Sequence, residues 1–156
     1  MSIGSFLLLL AAAATTPPAP MSQETVTRLL EAFKAAADGS ATMVTWALTA
    51  MIATIAAIVS TSYWRPARLA PRLTYWLYLP GWFFLAASIY YGDGIARDNI
   101  SAHFNKPSLL AETAVKLVKH YALQQQTLII GLAIFFLWLL LYLAWWIHGD
   151  WKTPNQ

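Results

Sequence analysis

Three stretches without a charged side chain decide what this chain can fold into. They run over residues 41–64, 73–92 and 127–147, and are 24, 20 and 21 residues long. A helix rises about 1.5 Å per residue, so about 20 residues cross a hydrocarbon core of about 30 Å. Backbone polar groups find no water at that depth, which leaves helices or closed barrels. The apolar runs are unbroken rather than alternating, and that pattern belongs to helices. Composition agrees: 58% of the 156 residues are hydrophobic and 11% are charged. So few charges cannot coat a soluble globule, and so apolar a chain does not stay disordered. There is no cysteine, which excludes disulfides, cysteine metal sites and thiol chemistry. A net charge of +3 makes no case for nucleic acid and suits a bilayer with anionic lipids.

Two further segments have helical periodicity but carry charge. In residues 21–39, Val26, Leu29, Leu30, Phe33 and Ala37 share a face that avoids Glu24, Arg28, Glu31 and Lys34. Ser22 is placed as an N-cap and Gly39 as the residue that ends the helix. In residues 108–126, Leu110, Ala114, Leu117, Val118 and Tyr121 share a face, with Glu112 and Lys116 an i,i+4 pair elsewhere. Nothing breaks the chain between this segment and the third run, so 108–147 reads as one helix of about 60 Å or as two with a bend near Gln124. Pro80-Gly81 predicts a kink in the second run. The expected fold is therefore an all-α integral membrane protein. It has two amphipathic interfacial helices, over 21–39 and 108–126, and three transmembrane helices; the first amphipathic helix precedes a three-span membrane domain over residues 40–156.

Residues 1–20 stand apart. Phe6 to Ala14 is apolar but too short to span, and a proline-containing stretch follows. Three readings stay open: a secretory signal, a retained hydrophobic arm, or a start at Met21. The loop holding Arg65, Arg68 and Arg72 has no acid, so it is expected to be a cytoplasmic anchor. That puts the N-terminus and residues 92–126 outside a bacterial inner membrane and the C-terminus in the cytoplasm.

The candidate functional residues are few. Thr45, Thr49, Ala53, Ala57 and Thr61 recur every four residues, and small residues so spaced let membrane helices approach closely. The ridge serves a partner protein or the chain's own second and third helices. Asp93, Asp98 and His103 gather after the second run as a metal candidate, although their spacing matches no calcium loop or zinc-protease motif. The plainer reading is a solvated turn leaving the membrane. His120 reads as a solvated interfacial histidine. Ala144-Trp-Trp-Ile-His148 resembles, over five residues, the Ala-x-x-x-His of light-harvesting antenna polypeptides; the resemblance implies pigment ligation by His148.

No Asp, Glu, Lys, Arg or His lies inside any of the three runs, which speaks against proton relays, ion-coupled carriers and voltage sensors. No phosphate loop, nucleophile elbow or dinucleotide fingerprint is present. The expected function is a non-catalytic accessory, assembly or scaffolding subunit of a larger membrane complex, with no cofactor. Its expected partners are the bilayer and larger membrane proteins or copies of itself. The alternative is a small homo-oligomeric pore or membrane-acting effector, lined by the threonines of the first run.

Overall fold

The computed structural model describes residues 22–62, 75–104, 106 and 109–149. They form three long helices: α1 over Gln23–Ser62, α2 over Tyr78–Phe104 and α3 over Leu110–Gly149. A short 3-10 turn, Tyr75–Leu77, leads into α2. The helices run up, down and up, and α2 packs most extensively on α3 and next on α1. Ser22 caps α1: its hydroxyl accepts from the Thr25 N–H at 3.3 Å, and its carbonyl takes the first helical bond, from Val26 N–H at 3.1 Å.

All three helices bury a seam that alternates three- and four-residue steps. On α1 it runs Val26, Leu29, Phe33, Ala36, Ser40, Met43, Ala47, Ala50, Thr54 and Ala57. On α2 it runs Tyr78, Gly81, Leu85, Ser88, Gly92, Ile95, Asn99 and Ala102. On α3 it runs Leu110, Ala114, Leu117, Tyr121, Gln124, Leu128, Gly131, Phe135, Trp138 and Tyr142. A sustained 3.5-residue repeat is the condition for knobs-into-holes packing, so the molecule is built as a three-helix coiled coil.

The seam divides into two apolar cores with polar groups between them. The lower core joins Leu29, Phe33 and Ala36 to Ile95, Ala102, Leu110, Ala114 and Leu117. The upper core joins Met43 and Ala47 to Tyr78, Leu85, Leu128, Phe135 and Trp138. Between them lie Ser40, Ser88, Gly92 and Gln124. Gln124 Nε2 donates to the Ser40 carbonyl and Ser88 Oγ to the Gln124 carbonyl, both at 3.2 Å. Gly92 makes room for this layer: a Cβ there would lie 2.6 Å from Val44 Cγ2 and 2.7 Å from Gln124 Nε2. Higher up, Trp82 Nε1 donates to Thr54 Oγ1 at 2.9 Å and ties α2 to α1.

Several local expectations give way to the long helices. Gly39 does not end a helix; α1 passes through it, because flanking residues on both sides feed one continuous seam. Likewise α2 continues through Gly92-Asp93-Gly94 to Phe104, so helix stands where a solvated turn is expected from the sequence. The two charged segments do not form separate interfacial helices. They are the lower halves of α1 and α3 and pack on each other through the lower core. For 108–147 the single-helix reading holds. Pro80 is the third residue of α2, in a first turn whose N–H groups have no helical partner, and it demands no kink.

Among the described residues two helices are long and apolar enough to cross a membrane: α1 over Gln23–Ser60 and α3 over Leu110–Trp145, whose most apolar stretches reach a mean hydropathy of 1.9 and 2.6. Only 17% and 22% of their apolar windows are buried inside the protein, so most of that surface faces outward. Trp46, Ile52, Val59, Phe136 and Leu140 are among the exposed apolar side chains. α2 is not one of these two helices: its seam carries Gly81, Ser88 and Gly92, and its lower half carries Asp93, Arg97 and Asp98.

Candidate functional site

The charged half of α2 begins one residue after the polar layer, and there the bundle opens into a cleft. Tyr90, Tyr91, Gly94, Arg97 and Asp98 from α2 and His120 from α3 line about 180 Å³. Asp98 and His120 stand opposite each other because each precedes a seam residue by one position, Asn99 and Tyr121, at neighbouring heights on antiparallel helices. His120 Nδ1 lies 2.7 Å from Asp98 Oδ2, with 34% and 17% of the two side chains exposed. An ionised carboxylate only accepts, so the proton of this bond sits on Nδ1. Gly94 admits the imidazole: a Cβ there would meet Nδ1 at 3.2 Å. The Tyr91 ring lies 6.3 Å from the imidazole, tilted by 31°.

Three further ion pairs in this half run along single helices. Arg97 bonds Asp93, Arg28 bonds Glu24 at 2.6 Å, and Lys116 bonds Glu112 at 2.8 Å. The Asp93 carboxylate, by hydrogen bond and by charge, raises the Arg97 guanidinium above its ordinary pKa. The Lys116 ammonium likewise holds the Glu112 carboxyl below its usual range. These exposed pairs dress the bundle surface and contribute little to its stability.

The proposed metal candidates are not brought together. Asp93 is bound to Arg97, Asp98 to His120, and His103 Nδ1 donates to the Asn99 carbonyl at 2.9 Å. Five-residue steps on one helix turn the three side chains to different directions. Among the described residues no group of three His, Asp or Glu could hold a metal ion. His120 is the residue whose surroundings differ most from the sequence reading. It is partnered across helices rather than solvated, and the missed signal is its position beside the α3 seam opposite an acid beside the α2 seam. The side chains of Thr61 and His148, and all of Arg65, Arg68 and Arg72, lie outside the described residues.

The small-residue ridge of α1 turns away from its own bundle. Thr45, Thr49 and Ala53 are exposed, and only Ala57 is half-buried, against the upper core. Thr42, Ala56 and Ser60 widen the same outward face. Its hydroxyls are satisfied within the helix: Thr42, Thr45, Thr49 and Ser60 donate to the carbonyl four residues back, at 3.2, 3.0, 2.8 and 2.8 Å. No protein-family model, curated protein or solved structure matches the chain.

Proposed function

We propose that this chain is a non-catalytic accessory or scaffolding subunit of a larger membrane complex, docked through the outward face of α1. The observation that carries this reading is the exposed face of Thr45, Thr49 and Ala53 with its hydroxyls already bonded to their own helix. Such a face costs nothing to bury in lipid or protein and lets a second helix backbone approach closely. Neighbouring Trp46 and Ile52, 58% and 67% exposed, would flank an incoming helix. On this reading all three helices cross a bacterial inner membrane, over 41–64, 73–92 and 127–147. Arg65, Arg68 and Arg72 hold the α1–α2 connection in the cytoplasm, and the lower half of the bundle stands outside.

The test is purification from native membranes in mild detergent, followed by native mass spectrometry. Larger co-eluting subunits are expected from the parent chain, and Thr45→Leu with Thr49→Leu should lose them while the helical content is unchanged. A clean monomer from native membranes would overturn the proposal. A homo-oligomer alone that conducts ions in a planar bilayer would replace it with the pore.

A further inference from the structure

The cleft between α2 and α3 holds two opposite charges side by side, and both keep bonding capacity. Asp98 spends Oδ2 on His120, which fixes the carboxylate and leaves it able to accept further hydrogen bonds. Arg97 bonds Asp93 through one amino group, Nη2, and a guanidinium carries five N–H donors. Above them the rings of Tyr90 and Tyr91 lie 5.7 Å apart and nearly perpendicular, offering π faces that attract ammonium groups. Gly94 lines the cleft without a side chain of its own, and the His120 imidazole packs against it. The depth is equally specific: residue 92 ends an uncharged run and Asp93 begins the charged half. Where the chain spans a bilayer, that is the level of the headgroups, at which tyrosine rings prefer to sit.

We propose that this cleft binds a phosphate ester carrying a primary ammonium group, the headgroup of phosphatidylethanolamine. Arg97 takes the phosphate. Asp98 accepts from the ammonium, whose N–H bonds a quaternary headgroup could not supply, and the tyrosine faces flank it. An anionic headgroup without an amine would leave Asp98 facing like charge. His120 is a positioning residue: it orients Asp98 without touching the phosphate. The inference rests on the membrane reading above.

The experiment is native mass spectrometry of the full chain in micelles with equimolar dioleoyl phosphatidylethanolamine, phosphatidylglycerol and phosphatidylcholine. One phosphatidylethanolamine should be retained at about fivefold or more over either competitor. Arg97→Ala and Asp98→Asn should each abolish that preference; Arg97 is well exposed, so its variant keeps the fold even where Asp98→Asn does not. Millimolar phosphoethanolamine that displaces the lipid would make the headgroup sufficient and admit a soluble ester as the source. Failure to displace it, with the preference intact, would assign the site to the lipid. Retention in proportion to supply, or a preference unchanged in Arg97→Ala, would overturn the inference. If the membrane reading were the error, the chain would instead stay soluble without detergent or lipid.

Discussion

Gly92 and Gly39 are both mid-helix glycines, and their surroundings set opposite prices on a methyl group. At Gly92 a Cβ would strike Val44 and Gln124, and Gln124 is fully buried and tied to Ser40. The amide cannot yield without losing its bond and leaving more buried polar atoms bare, since Gln124 Oε1 already has no partner among the described residues. At Gly39 the nearest atom is the Tyr121 hydroxyl at 3.2 Å, the free end of a half-buried side chain. There the gain in helix propensity of roughly 0.5–1 kcal/mol prevails. Thermal unfolding in detergent should show Gly92→Ala destabilised by about 1–3 kcal/mol, as overpacking costs, and Gly39→Ala unchanged or stabilised. Equal effects at the two positions would mean that the polar layer is not packed as described. By its local sequence Gly39 is a helix stop, because glycine commonly follows a helix. What decided otherwise was the alignment of Ala36, Ser40 and Met43 on one seam, which no local signal reports.

At the scale of the element, α2 and α3 are locked by two reciprocal glycine pairs. Gly81 receives Phe135, whose ring would lie 2.8 Å from an added Cβ, and four residues on in α2 and four back in α3, Gly131 receives Leu85, also at 2.8 Å. Antiparallel helices with matched four-residue steps can satisfy both pairs only in one register. Gly81→Ala should therefore cost about 1–3 kcal/mol, and Phe135→Leu in the same chain should recover part of it, with a coupling of about 0.5–3 kcal/mol. Strict additivity in that double-mutant cycle would reject the lock. The helices themselves were legible in the sequence, because long uncharged runs and the faces of Leu29–Phe33 and Leu110–Leu117 are one-dimensional patterns. The seam was not, because its key positions are Ser40, Gly81, Ser88, Gly92, Gln124 and Gly131. A search for apolar periodicity passes over such residues even when their spacing is 3.5. The same blindness hid the Asp98–His120 pair, which depends on two helices meeting at one height.

At the scale of the whole molecule, the proposed membrane reading implies, from helix length, a bundle that is half in and half out of the bilayer. α1 and α3 are 40 residues each, about 60 Å, against a hydrocarbon core of about 30 Å. A tilt alone cannot bury such helices, and their charges gather below the polar layer of Ser40, Ser88 and Gln124, with none above it. The outward surface changes character at the same height, from Ile52 and Phe136 above to Lys34 and Lys119 below. The chain has no cysteine of its own, so single cysteines report position without background. In sealed vesicles, Lys34→Cys and Lys119→Cys should react with a membrane-impermeant maleimide from the same side, and rapidly. Ile52→Cys and Phe136→Cys, although 67% and 62% exposed on the protein surface, should stay unreacted, because lipid rather than protein covers them. Labelling of Lys34→Cys and Lys119→Cys from opposite sides would break the up-down-up arrangement in the bilayer. Rapid labelling of Ile52→Cys would instead mean that the apolar half is open to water, and the spanning reading of α1 would fall.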